Sequence, residues 1–150
     1  MRVGVISDTH GLLRPEAVAA LAGVEHVLHA GDVGDPAILG ALRNIAPVTA
    51  IRGNVDVSGD CARLPETELV GLRGVGIYML HDLGALDLDP VSAGVAVVIS
   101  GHSHKAKIER RKGVLYFNPG SAGPKRFSLP ISVGLLEIDD GRAEARIVEI

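Results

Sequence analysis

Apolar residues in this chain come in short runs, and five of those runs end in polar clusters drawn from the same few residue types. Val3-Gly4-Val5-Ile6 leads into Asp8-Thr9-His10, Val27-Leu28 into Gly31-Asp32, and Val48 to Ile51 into Gly53-Asn54. Ile77-Tyr78-Met79-Leu80 leads into His81, and Val95 to Ile99 into Gly101-His102-Ser103-His104. Such runs, bounded by glycine and polar turns, read as buried strands. The segments between the first three runs are helical in pattern. Arg14-Pro15-Glu16 opens a helix where the missing proline N–H costs nothing, and it is expected to reach Leu21 and stop at Gly23. Asp35-Pro36 starts a second helix, through about Asn44. With strands at Val3–Ile6, at His26–Ala30 and from Pro47 to Gly53, the order is βαβαβ, which favours parallel pairing and right-handed crossovers.

The remainder is strand-rich. Glu68–Leu72 and Val75–Leu80 flank Arg73-Gly74 as a hairpin, and Asp89-Pro90 predicts a short helix before Val95–Ile99. Further strands are expected at Ala106–Arg110, Val114–Phe117, Ser132–Ile138 and Ala143–Glu149, split by Gly113 and Asp139-Asp140-Gly141. Taken alone, this half reads as antiparallel. Val57–Pro65 reads as a surface loop. With no linker or repeat, residues 1–150 are expected to form one α/β domain with two packed sheets.

Composition narrows the class. Apolar residues are 47% of the chain but aromatics only 3%, so the core must be built from Val, Leu, Ile and Ala. Nineteen glycines, about twice ordinary usage, imply tight turns and close backbone approaches. A formal charge of −3 with no basic stripe argues against long nucleic acid as a partner. One cysteine, Cys61, excludes an internal disulfide and fits a reducing cytoplasm. The apolar run before Asp8 is too short for a signal peptide, and no run approaches membrane-spanning length. A homo-oligomer is allowed, with no contact to place.

Strands that run the same way bind ligands beyond their carboxyl ends, so five polar clusters at five strand ends point to one shared site. Asp, Asn and His without cysteine suit divalent ions such as Mn²⁺, Fe²⁺, Ni²⁺ or Zn²⁺. Two ions roughly 3.5–4 Å apart would need a bridging anion, which a carboxylate such as Asp32 can supply; water held between them would become a nucleophile for in-line attack on phosphorus. Singly, each motif has a bland reading: Asp8 or Asp35 as a cap, Gly53-Asn54 as a turn, His81 as a core histidine. Together those readings need five coincidences at five strand ends.

In order, Asp8-x-His10, Gly31-Asp32, Gly53-Asn54, His81 and Gly101-His102-x-His104 resemble the motifs of the calcineurin-like metallophosphoesterase superfamily, from residue 5 to about 121. The short length and Phe117-Asn118-Pro119-Gly120-Ser121 resemble its small prokaryotic phosphodiesterase subgroup. The resemblance implies a four-layer α/β/β/α sandwich of two packed mixed sheets flanked by helices, with a dinuclear site at one edge. It also implies that Asp8, His10 and His104 hold one metal, that Asn54, His81 and His102 hold the other, and that Asp32 bridges them. Asp32, Asn54 and His102 are the residues expected to serve catalysis directly, and Mn²⁺ heads the candidate ions. Asn118 and Ser121 would orient ligands from behind, with a purely structural turn as the alternative. Asp82, where the family commonly has glycine, would orient His81 or be solvated. Many members carry His after the Gly-Asn pair as a leaving-group acid; here Val55 stands there, followed by Asp56, which is expected to cap a turn. Arg126 is a candidate contact for a substrate phosphate, with a surface salt bridge as its alternative, and Arg52 is a weaker one. His26 and His29 read as structural or solvent-facing.

These features imply a metal-dependent phosphodiesterase acting on a small or activated ester. A phosphomonoesterase is the nearest enzymatic alternative. A protein-interaction scaffold, like the retromer subunit of the same fold, is the alternative from another class.

Overall fold

A computed structural model describes residues 1–150, in which ten strands form two five-stranded sheets. In the first, β1 (Arg2–Ile6), β2 (His26–His29) and β3 (Val48–Ala50) run parallel, joined by α1 (Pro15–Ala20) and α2 (Pro36–Arg43). The opening βαβαβ is as expected. β9 (Ser132–Asp139) then pairs antiparallel with β1, and β10 (Arg142–Glu149) with β9.

The second sheet corrects the antiparallel reading of the later half. Its order is β4 (Thr67–Leu72), β5 (Val75–Leu80), β6 (Val97–Ile99), β8 (Val114–Asn118), β7 (Lys107–Arg111). β5, β6 and β8 are parallel, and only the edge strands β4 and β7 are reversed. The reason lies in the connections: residues 81–96 are long enough to carry the chain back across the sheet, as a parallel pair requires. The three tight hairpins are antiparallel, with two-residue turns Arg73-Gly74, Lys112-Gly113 and Asp140-Gly141 that have positive φ at both positions, the twist-matched turn for such hairpins.

Alternation along the strands sorts the core. Val3 and Val5 face the second sheet and pack with Leu28, Ile77, Ile99 and Phe117. Ile6 and Val27 face outward under the helices, against Ala17, Leu21, Leu39 and Leu42. Beyond the second sheet, Leu80, Val98 and Val114 are covered by Leu83, Leu86 and two tyrosines. The fourth layer is thus thin, a 3₁₀ turn at Leu83–Ala85 and a loop. The helix expected after Asp89-Pro90 is a single turn. Asp89 accepts from Val91 N–H at 3.2 Å and from Ser92 Oγ at 2.8 Å, and Gly94 at φ 73° ends the segment. No helix is long and apolar enough to cross a membrane.

Candidate metal centre

Parallel strands β1, β2 and β3 in one sheet, and β5 and β6 in the other, deliver all five motifs to one edge of the sandwich. There the backbone leaves ordinary geometry: Asp8, His10, Asp32, His102 and His104 all have positive φ, between 46° and 70°. Outside the hairpin turns, Phe127 is the one other non-glycine residue with positive φ. Residues held in this region cost energy and persist where the surroundings fix them. Glycine permits the close approach. A Cβ on Gly53 would overlap the Asp32 carboxylate, and one on Gly101 would overlap Ser7 Oγ.

Asp8 is fully buried. Its Oδ2 accepts from Ser7 Oγ at 2.6 Å and from His102 N–H at 3.1 Å, which leaves Oδ1 without a partner. That oxygen lies 3.4 Å from His104 Nε2, 3.7 Å from His81 Nε2 and 3.8 Å from His10 Nε2. Asp32 is fixed by Val55 N–H donating to Oδ1 at 3.0 Å. Its Oδ2 stands 3.2 Å from His81 Nε2 and 3.5 Å from His10 Nε2. Burial opposes ionisation of Asp32, but bonding from His81 and from Val55 N–H outweighs it and holds the carboxyl at about 2.

The orientation of His81 tests whether a cation fits. Its Nδ1 is 2.7 Å from the Ala30 carbonyl oxygen, which can only accept, so Nδ1 carries a proton. In a neutral ring Nε2 is then a lone pair facing two carboxylate oxygens. Burial works against protonation of His81, yet Asp32 and the Ala30 carbonyl raise its pKa overall. Two buried carboxylates and imidazole lone pairs converging on one point are complementary to a positive charge. The donor set therefore fits divalent ions. The groupings that geometry gives are Asp8 with His10 and His104, and Asp8 with Asp32 and His81. Asp8 thus reaches both halves, alongside Asp32.

The other expected ligands sit at the rim. The His102 ring is 5.3 Å from that of His81, centroid to centroid, and exposed Asn54 lines the same cleft as both histidines. Asn118 donates to the Gly101 carbonyl at 3.0 Å and to Ser103 Oγ at 3.2 Å, and Ser121 donates to the Asp8 carbonyl at 3.0 Å. Both therefore brace the loops that carry the expected ligands. Asp82 instead accepts from Gly84 N–H at 2.9 Å, capping the 3₁₀ turn, and is exposed. Arg126 is exposed and has no salt bridge; its charge is felt at His104, whose pKa is lowered first by burial, against Asp8, and then by Arg126. Arg52 is engaged, bonding Glu66 at 2.7 Å and the Ala62 carbonyl at 3.0 Å. Burial pushes the Cys61 thiol up, against a nucleophilic role.

Two supports were less visible in the sequence. Asp56 is buried and accepts three backbone N–H groups: Val33 at 3.1 Å, Gly34 at 3.0 Å and Gly53 at 2.8 Å. The expected turn cap proves to tie the Asp32 loop to the Asn54 loop. His29 is fully buried. Gly31 N–H donates to its Nδ1 at 3.1 Å, so Nε2 carries the proton and donates to Thr9 Oγ1 at 3.1 Å. Thr9 in turn donates to the Val33 carbonyl at 2.9 Å. This chain joins the Asp8 and Asp32 loops. The signal for it was His29 placed three residues before Asp32 at a strand end.

Burial lowers His29 to about 4 from 6.5, with Asp56 opposing. The unfolded chain therefore binds a proton that the fold does not, and stability should fall as pH drops from 6.5 toward 4, by about 3 kcal/mol. Urea unfolding of the metal-free protein across that range checks this. The His29→Asn variant should lack that part of the slope, and an unchanged slope would refute the assignment.

Carboxylates and imidazoles converge at the edge of a two-sheet sandwich in an arrangement suited to holding metal ions. The chain belongs to the calcineurin-like phosphoesterase superfamily, whose domain matches residues 1–141. A probable metallophosphoesterase of Methanothermobacter thermautotrophicus is 39% identical, over 99% of this chain and 92% of that protein. A phosphodiesterase of Methanocaldococcus jannaschii is 28% identical, over 93% and 94% respectively. Among solved structures, an archaeal phosphodiesterase superposes with a TM-score of 0.81 at 24% identity, over 99% of this chain and 100% of that one. Vps29 of Entamoeba histolytica complexed with Zn²⁺ gives 0.78 at 25% identity, over 99% of each chain.

Proposed function

We propose that this protein is a metal-dependent phosphodiesterase acting on small or activated esters, with two divalent ions at the edge of the sandwich. One observation carries the reading: Asp8 Oδ1, His10 Nε2 and His81 Nε2 are buried, convergent and unpartnered. Asp8, His10 and His104 would hold one ion and Asn54, His81 and His102 the other, with Asp32 between them. Mn²⁺ is the first candidate, and Zn²⁺, named with the Vps29 relative, suits the same donors. When bound, such ions would neutralise phosphoryl charge and lower the pKa of an attacking water. The chain's own part is to hold the ligands rigid through Ser7, Asn118, Ser121, Asp56 and His29, and to offer Arg126 to the phosphoryl group at the His104 end. The diester preference follows the name of the Methanocaldococcus jannaschii phosphodiesterase. A cytoplasmic location fits the single, buried Cys61.

Hydrolysis of a nitrophenyl phosphodiester beside the matching monoester tests the bond class, with the diester expected to be the better substrate. Equal or better turnover of the monoester would move the assignment to a phosphomonoesterase. Val55 offers no proton to a leaving group, so the rate should depend steeply on leaving-group pKa. Val55→His should flatten that slope, since a positioned acid contributes roughly 10²–10⁴-fold for poor leaving groups. Equal slopes in both forms would place protonation elsewhere.

A scaffold role is the second reading, favoured by apolar residues exposed on the loops of the site, Val57 at 79% and Phe127 at 95%, and by the likeness to Vps29. Absence of turnover with two ions bound would select it.

A further inference from the structure

A cleft of about 520 Å³ opens from His81 and His102 away from the buried carboxylates. Its body is lined by Tyr78 and Leu80, and its walls by Arg52, Glu66, Asp82 and Asp87. The one cation there is already engaged, with Arg52 bonded to Glu66 at 2.7 Å. Asp82 and Asp87 form no salt bridge, so the cleft keeps two uncompensated negative charges. At its inner end stands His81, 7% exposed, whose Nε2 faces the Asp32 carboxylate at 3.2 Å. The opposite end of the site carries a cation: Arg126 is exposed and has no ion-pair partner. The site is therefore polarised along its length.

We propose that this cleft receives one organic substituent of the phosphodiester and selects it by charge, favouring a cationic amino-alcohol ester over a neutral one and both over an anionic one. The inference rests on the phosphodiesterase reading above. The phosphoryl group lies at the metal-ligand cluster, and the substituent extends over Tyr78 between Asp82 and Asp87. A quaternary ammonium is matched to that lining, since carboxylates and an aromatic ring both attract it. A substituent carrying a carboxylate or a further phosphate meets like charge instead. The same polarity works against polyanionic substrates, in keeping with the absence of a basic stripe.

Three nitrophenyl phosphodiesters of similar size test this on the metal-loaded enzyme. Their second substituents are choline, its uncharged isostere 3,3-dimethylbutyl, and 3-carboxypropyl. The expected order of kcat/KM is choline, dimethylbutyl, carboxypropyl, with about tenfold between the first two, the range of a few partly exposed charge and ring contacts. The choline-to-dimethylbutyl ratio should fall severalfold in Asp87→Asn and in high salt. Equal rates, or preference for the anionic ester, would overturn the inference and leave the phosphodiesterase reading standing.

A second readout needs no turnover. With only two tyrosines in the chain, the Tyr78 ring resonances of metal-stripped protein can be followed during titration with phosphocholine or 3,3-dimethylbutyl phosphate. Phosphocholine should shift them at the lower concentration. Hydrolysis of none of the three esters, with that binding preference present, would remove the enzymatic reading and retain the selectivity of the cleft. Equal titrations would overturn the selectivity.

Discussion

Replacing Asp32 by alanine is expected to abolish metal-dependent ester hydrolysis and to lower the number of divalent ions held per chain. Asp32 Oδ2 lies between His81 Nε2 at 3.2 Å and His10 Nε2 at 3.5 Å, so it serves both halves of the site. Its Oδ1 is occupied by Val55 N–H, which fixes the direction of the free oxygen. Residues that merely orient a ligand typically cost roughly 10–100-fold in affinity or activity when removed. Loss of the carboxylate proposed to be shared between two ions should exceed that. Alanine also strands the Val55 N–H, at about 1–3 kcal/mol, so circular dichroism should show the variant folded before its ions are counted. Turnover retained beside two bound ions, counted by elemental analysis, would contradict the role given to Asp32.

Asp56→Ala should carry the largest cost to stability of any single substitution near the site. The carboxylate is 3% exposed and accepts three backbone N–H groups from two loops. Alanine would strand all three donors, at roughly 3–5 kcal/mol in total. Activity should fall as well, since the Asp32 and Asn54 loops lose the group that joins them. Asp56→Asn keeps the shape and one good acceptor, and should fall between wild type and alanine. Urea unfolding beside kcat/KM for the three forms checks both effects. A loss of stability below about 1 kcal/mol, the ordinary size for a point mutation, would mean that water replaces the carboxylate.

Much of this site was legible in the chain because sheets turn local signals into long-range geometry. Once β1, β2 and β3 are read as parallel strands, Asp8, Asp32 and Asn54 must lie at one edge. The hairpins were equally visible, since Arg73-Gly74 and Asp140-Gly141 supply the positive φ that tight antiparallel turns need. Parallel pairing of β5, β6 and β8 was not legible, because a long connection without a helix gives no local sign of which way the chain returns. The supporting residues were hidden for a different reason. Asp56 reaches the Val33 and Gly34 N–H groups more than 20 residues away, and His29 the Thr9 hydroxyl 20 residues away, and nothing in a local pattern distinguishes such a bond from a turn cap. The reach of Asp8 into both halves was hidden too, because it depends on the side-chain rotation that Ser7 and the His102 N–H impose.

The most direct test of the central claim is a titration of metal-stripped protein with Mn²⁺, following nitrophenyl diester hydrolysis and bound ions together. Activity should be absent in the stripped protein, rise with metal and saturate at two ions per chain. Hydrolysis without metal, or none with two ions bound, would contradict the account.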